Sequence, residues 1–489
     1  MTEMRKRLAI GSIWTAGVRA AVSLMGLIST VVLARLLTPE DFGLVAVAAV
    51  VFAIISAFSQ LSLAEALIQH AEPKREHFDS AWTMGVLRGL GVSFILLVIA
   101  SGFATFGDPR IAFIMGAFGF AALMNGLQNP RIIEFRRRLS FHQELLIQLA
   151  EKLIGLIAAI TIAVIYQSFW AIVIGALASQ LVSLILSYAL IPYLPRFSLH
   201  EWRSLLSFSG WIALGSGVRE VNWRADQLLV GALLGTPMLG QYNVGGRLAS
   251  LPVQESIAPL VHVLFPAFAK LQNETDRLRD AFLRSQRLLA MIAVPVGVGF
   301  ALVAEPVVAF VLGPQWVAAG LVIQVLSAIF AIQVLASPFL PMAMGLGQTR
   351  LIFVRDIINL IVRYPIIIVG LLWGGLIGLL LARCITGTFI LLLDLVLSRR
   401  LIGVSVQQQV FASWRVGVSA GLMALAVWAM QLFGFYQPAL IDISILIAVG
   451  VVTYLASTLL LWVLSGKPAG PEQEIVNMLD VFRAGTQRV

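Results

Sequence analysis

The sequence predicts an all-α polytopic membrane protein of about 14 transmembrane helices, with two six-helix lobes in a parallel pseudo-repeat plus two C-terminal helices. Three observations predict it. Of 489 residues, 59% are hydrophobic and only 12% are charged, and the mean hydropathy is +0.92. A soluble chain carries about 25% charged residues and could not hide this much apolar surface. Apolar runs recur at the roughly 20 residues a helix needs to cross a bilayer, and roughly 30–35 residues per span and loop leave room for about fourteen. Lys and Arg crowd alternate loops and desert the others, as the positive-inside rule requires.

The elements follow in order. Arg5-Lys6-Arg7 precedes an apolar run from Leu8 to Leu37, too long for the core of a cleavable leader, so it reads as a retained first span. The spans fall near 10–34, 42–64, 81–104, 111–130, 145–166, 168–191, 208–234, 239–268, 286–312, 317–343, 351–372, 375–397, 411–433 and 440–464. The seventh and eighth are the least apolar. With the N-terminus inside, 23 of the 34 basic residues fall in cytoplasmic segments, including Lys74, Arg75, Arg131, Arg196, Lys270, Arg355 and Arg399. The opposite loops hold only Arg35 and Arg110. Both termini are therefore expected in the cytoplasm. The net charge of +9 becomes a topology signal, with no nucleic-acid partner expected. The loop 269–285 carries Leu271, Leu278 and Phe282 among charges and reads as an amphipathic surface helix. The tail after Gly466 repeats that design, with Pro471 opening a face of Ile475, Met478, Leu479 and Phe482.

An internal repeat organises these spans. Leu36-Leu37-Thr38-Pro39-Glu40-Asp41-Phe42-Gly43 closes the first span, and Leu233-Leu234-Gly235-Thr236-Pro237-Met238-Leu239-Gly240 closes the seventh. Both spans open on a Trp after small residues, Trp14 and Trp211. The offset is 197 residues and six spans, an even number, which makes the repeats parallel. Expected domains are an N-lobe at 1–207, a C-lobe at 208–407, two further spans at 408–466 and a cytoplasmic amphipathic tail at 467–489.

Several chemistries are excluded. There is no GxxxxGK[ST] loop, HExxH or CxxC; Cys384 is the only cysteine and the five His are scattered. No enzyme activity and no cofactor is expected, beyond H⁺ or Na⁺ as a coupling ion.

The stretch Leu33 to Gly43 resembles the N-terminal signature of Wzx-type polysaccharide flippases of the multidrug/oligosaccharidyl-lipid/polysaccharide (MOP) superfamily. Asp226-Gln227-Leu228-Leu229-Val230-Gly231 with Leu239-Gly240-Gln241-Tyr242-Asn243, then Phe265-Pro266-Ala267-Phe268 and Gly313-Pro314-Gln315-Trp316, resemble later motifs of that family in order. The resemblance implies alternating access in a bacterial inner membrane. It implies undecaprenyl-diphosphate-linked oligosaccharide as cargo, in an exopolysaccharide branch similar to the colanic acid and succinoglycan systems. Membrane lipids and a polysaccharide polymerase or copolymerase are the implied partners. A lipid II flippase and an ion-coupled multidrug antiporter are the alternatives; the antiporter should carry an acidic cavity and usually twelve spans.

Charges at membrane depth are the site candidates, because each is costly there. Arg19, Arg219, Arg247, Arg363 and Arg383 lie nearest mid-span, with Arg224 close by. A guanidinium fork donates bidentately and stays charged, which suits a diphosphate leaving water. Trp223, Asn222, Asn243 and Asn359, with Gln227 and Gln241, offer polar walls for sugar. Asp226, Glu220 and Asp394 are the ion-coupling candidates. The bland alternative is internal pairing, as Glu220 and Arg224 stand at i,i+4 and Asp356 shares a face with Arg363. Arg88, Lys152 and Arg415 read as snorkelling anchors near the inner ends of their spans. Pro252 and Pro259, beside Arg247, are the hinge candidates.

Overall fold

The computed structural model describes residues 2–61, 63–70, 73–137, 141–203, 209–434, 439–468, 470 and 473, and no strand occurs among them. The helices up to the middle of the chain are α1 (Thr2–Leu36), α2 (Pro39–Phe58), α3 (Leu63–Gln69), α4 (Arg75–Phe106), α5 (Pro109–Gly126), α6 (Ile133–Arg137), α7 (Phe141–Tyr166), α8 (Trp170–Leu190) and α9 (Ser209–Leu234). There follow α10 (Thr236–Lys270), α11 (Thr275–Leu302), α12 (Ala304–Val311), α13 (Val317–Gln333), α14 (Phe339–Gly345), α15 (Thr349–Ile402), α16 (Val406–Phe411), α17 (Trp414–Leu432) and α18 (Leu440–Leu464).

Eleven helical segments among the described residues are long and apolar enough to cross a membrane. The expected count of fourteen differs from this in three places. Helix α5 is only 18 residues long and spends its ends on Arg110 and Asn125. Helix α9 carries Arg219, Glu220, Arg224 and Asp226 within eight residues. Helix α15 runs unbroken by hydrogen-bond pattern for 54 residues and counts once. It is nevertheless two arms. In a straight helix residues 355 and 394 would stand about 58 Å apart, at 1.5 Å of rise per residue. Instead Arg355 and Asp394 meet at 2.7 Å. The chain reverses at Gly375, whose φ of 54° and ψ of −130° suit only glycine. Next to the turn, a Cβ on Gly370 would fall 2.4 Å from the Gly378 carbonyl oxygen, so the two arms touch backbone to backbone.

The chain forms two compact units, residues 1–244 and 245–489. The expected boundaries at 207, 407 and 466 follow the sequence repeat, which compactness does not decide. In the first unit, Thr38 caps α2. Its Oγ1 accepts from the Asp41 amide at 3.2 Å, and Asp41 Oδ2 accepts from the Thr38 amide at 3.0 Å. Asp41 Oδ1 also accepts from the Phe169 amide at 3.0 Å, tying the start of α8 to that cap. The two repeat motifs pack against each other. A Cβ on Gly43 would stand 1.8 Å from the Thr236 carbonyl oxygen, and one on Gly240 would stand 1.8 Å from that of Pro39. Residues 39 and 236, like 43 and 240, are 197 apart, so the contact is reciprocal at the offset of the repeat. The side chains of Trp14 and Trp211, the other matched pair, lie outside the described residues.

In the second unit, Leu278 and Phe282 are buried with Phe268, Phe339, Met342 and Ile402 in one cluster. This corrects the surface-helix expectation for 269–285. These residues are the first turns of α11, and their apolar face closes a core rather than lying on a bilayer. Helix α10 runs continuously through Pro252, Pro259 and Pro266, and α11 through Pro295. The apolar face expected of the tail, from Pro471 to Phe482 with Ile475, Met478 and Leu479, lies outside the described residues.

Gly240→Ala and Gly375→Ala test these constraints. Each should destabilise the purified protein by about 1–3 kcal/mol, through overpacking against a carbonyl and through a forced positive φ respectively. Thermal unfolding reads the loss, with Gly116→Ala, in open space, as an unaffected control.

Candidate functional site

Polar groups at membrane depth collect in two places. The first is α9 and the start of α10. Asp226 is 2% exposed and accepts from the Tyr242 hydroxyl at 2.8 Å. One residue on, Gln227 Oε1 accepts from Asn243 Nδ2 at 2.9 Å. These rungs zip α9 to α10 across the glycine turn. Asn222 is buried one turn before Asp226, whereas Trp223 faces outward. Glu220 and Arg224 form the ion pair that their i,i+4 spacing favours. Arg219 is exposed, with its Nη2 donating to Ser216 Oγ at 3.2 Å. In the same unit Arg19 is exposed on α1.

The second place is the α15 hairpin. Arg355 donates to both carboxylate oxygens of Asp394, at 2.8 and 2.7 Å, and to Asp356 at 2.8 Å. Asp356, Asn359 and Arg363 are each less than a tenth exposed and follow one another along one arm. One cation thus serves two carboxylates across the hairpin, and its fork geometry makes one of those pairs bidentate. Arg383 stands half-buried on the other arm, and Arg247 is exposed on α10.

The structure brings together Asn222, Asp226, Gln227 and Asn243 where α9 meets α10, while Asn359 and Arg363 lie buried on the arm of α15 that carries Arg355, the partner of Asp394. It leaves Arg19, Arg219 and Arg247 exposed on separate helices. Sequence reading missed Arg355, which it counted as a loop residue. Its position near the start of the span at 351–372 conceals a partner 39 residues away. Asp394 is accordingly one arm of an ion pair. Arg415 is not a snorkelling anchor either: it is 7% exposed, and Ser419 one turn on is fully buried. Tyr242 was also missed as the partner of Asp226. A tyrosine hydroxyl between Gln241 and Asn243 gives no charge signal.

These helices and their order have the transporter fold of the MOP superfamily. A lipid II flippase, MurJ in an inward closed conformation, superposes with a TM-score of 0.71 at 15% identity, covering 93% of this chain and 99% of that one. An inward-facing multidrug resistance transporter of the MOP superfamily gives 0.58 at 14% identity, covering 79% and 98%. The chain belongs to the polysaccharide biosynthesis protein family, which it matches over residues 32–320. It is 27% identical over 438 residues to the succinoglycan biosynthesis transport protein ExoT of Rhizobium meliloti, covering 88% of each chain. It is 23% identical to the lipopolysaccharide biosynthesis protein WzxC of Escherichia coli, over 84% of this chain and 85% of that one.

Breaking the hairpin triad should be costly. Arg355→Ala leaves two carboxylates without their shared cation, and we expect a loss of about 3–5 kcal/mol. Asp394→Asn should cost less, because Arg355 keeps Asp356. The thermal midpoints of the two purified variants give the order.

Proposed function

We infer that this protein is a flippase. It carries undecaprenyl-diphosphate-linked oligosaccharide units from the cytoplasmic to the outer leaflet by alternating access, for exopolysaccharide assembly. The observation that carries the reading is the end-to-end likeness to a transport protein named for succinoglycan biosynthesis, over 88% of both chains. The likeness to a lipid II flippase is one of fold and does not choose the cargo.

The distribution of charge supports the same reading. Arg19, Arg219 and Arg247 are exposed at mid-span positions, and a diphosphate that leaves water needs replacement donors of this kind. Arg224, Arg363 and Arg383 are the second rank, because Arg224 is spent on Glu220 and the other two are more enclosed. Trp223, exposed beside Arg224, would offer a stacking face to sugar, with Asn222, Asn243 and Asn359 as weaker candidates. A multidrug antiporter would need acids facing its cargo. Here Glu220 and Asp394 are held by guanidinium groups and Asp226 by a tyrosine hydroxyl. If H⁺ or Na⁺ drives transport, Asp226, buried and bonded to the Tyr242 hydroxyl, is the acceptor we assign first. In this reading the protein sits in the bacterial inner membrane with both termini cytoplasmic and crosses fourteen times, α5 and α9 included. A polysaccharide polymerase or copolymerase takes up its product.

Complementation of a host deleted for its exopolysaccharide flippase is the test. The wild-type chain should restore surface polymer and clear lipid-linked repeat units from the inner leaflet. Arg19→Ala, Arg219→Ala and Arg247→Ala should express normally yet cut polymer by about tenfold or more, as the loss of a charge-assisted contact implies. Asp226→Asn should cut polymer similarly if it carries the coupling ion, while Tyr242→Phe should have a smaller effect. Failure of the wild type in several polymer backgrounds would remove this reading.

A further inference from the structure

We propose that the first unit holds one anionic phospholipid, with its phosphodiester at Arg88 and Gln180 and an acyl chain in the apolar groove beside them. The site is separate from the arginines assigned to cargo.

Two cavities share Arg88. One, of about 300 Å³, lies among α2, α4, α5 and α8 and takes its polar lining from Ser56, Arg88, Asn125 and Gln180. The other, of about 560 Å³, is an open groove along α4 with walls from Leu87, Val92, Ile95, Leu199 and Trp202. Apart from the Trp202 indole, only Ser59 and Arg88 bring polar side chains to its lining. Both volumes fall at ligand scale, roughly 300–1,000 Å³.

The charge of Arg88 is not balanced. Its Nε donates to Ser59 Oγ at 3.4 Å and its Nη2 to the Ser56 carbonyl at 3.3 Å, both long bonds to neutral acceptors. These acceptors belong to the C-terminal turn of α2, where the helix dipole offers only about half a charge. Among the described residues no carboxylate pairs with Arg88. Gln180 adds an independent sign. Its Nε2 is buried and has no hydrogen-bond partner, and it lines the same cavity. A buried amide without an acceptor costs about 1–3 kcal/mol. A snorkelling anchor would explain neither the orphaned amide nor the groove. An acceptor that is anionic and carries an apolar tail accounts for all three.

Depth fits a lipid phosphate. Arg88 lies 18 residues from the Phe106 end of α4, which is about 27 Å along the axis. With that end at one interface, Arg88 reaches the opposite edge of a hydrocarbon core about 30 Å thick. The Trp82 indole, bonded to the Tyr188 hydroxyl at 3.0 Å, marks the same rim. The groove wall is also built rather than incidental. The segment that carries Leu199 and Trp202 is latched onto α4. The Arg196 amide donates to Asp79 at 3.0 Å, the Ser198 amide to Thr83 at 3.0 Å and the Glu201 amide to Ser80 at 3.2 Å. Tyr193 adds a hydroxyl bond to Asp79.

Native mass spectrometry of the full-length protein tests the proposal, with phosphatidylglycerol, phosphatidylcholine and undecaprenyl phosphate as separate probes. The wild type should retain one phosphatidylglycerol, and Arg88→Ala or Gln180→Leu should lower its occupancy about tenfold. Gly91→Leu keeps both polar groups. A Cβ there meets nothing within 4 Å, so a leucine enters the groove from an open position on α4. It should lose the lipid equally while the thermal midpoint holds, which separates ligand loss from misfolding. Arg88→Lys should keep part of the occupancy. Equal retention of phosphatidylcholine would overturn the proposal, as would preference for undecaprenyl phosphate over phosphatidylglycerol. Displacement of the lipid by millimolar inorganic phosphate would overturn it too, because a chainless anion has no use for the groove.

Discussion

The first unit depends on a contact with no side chain in it. Gly43 and Gly240 each bring a backbone up to the carbonyl that lies four residues before the other, at Thr236 and Pro39. Since the two copies are related by 197 residues, each glycine does for the other motif what the other does for its own. A Cβ on either would collide, so the approach of α2 to α10 is set by two hydrogen atoms. The rest is arranged around this point. The Thr38–Asp41 capping box orients α2 as it arrives, Asp41 holds the start of α8, and the Tyr242–Asp226 and Asn243–Gln227 bonds follow within one turn of Gly240. In an apolar solvent, helix association lacks a hydrophobic drive and leans on such small-residue contacts.

The second unit solves a different problem, the burial of charge. Arg355, Asp356 and Asp394 occupy the two arms of α15, and burying any one of them alone would cost several kcal/mol. The fold at Gly375 brings the arms together and converts three liabilities into one network. The charges in turn favour one pairing of the arms, since a slip between them would pull Arg355 away from Asp394. The exposed arginines obey another logic. Arg19, Arg219 and Arg247 stand exposed on their helices, and this contrast with the buried α15 group is why we assign them to a moving anion.

Much was legible in the chain because bilayer physics is written in composition. Spans, loop charges and the 197-residue repeat are properties of local sequence, and so is the Glu220–Arg224 pair, which needs only helical spacing. The misreadings share one cause. Leu278 and Phe282 read as a surface helix because amphipathicity does not say whether the apolar face meets lipid or protein. Arg355 and Arg415 read as loop and anchor residues because hydropathy places them near span ends, and only packing decides whether an end is covered. The undercount at α5 and α9 has the opposite origin: polar residues within or at the ends of these helices depress their hydropathy.

Sequence alone determined that this is a many-span helical membrane protein of repeated design, with cations in excess at mid-span. Those features rest on apolar length, loop charge and periodicity, each of which acts within a few turns of helix. Only the tertiary structure decided which charges are spent and which remain. Arg355 finds Asp394 across 39 residues, Asp226 finds Tyr242 across a turn, and Arg88 finds only neutral acceptors at the mouth of an apolar groove. The physical reason is that a charge in a low-dielectric interior is governed by what lies within a few ångströms. In a folded helical bundle, those neighbours come mostly from other helices.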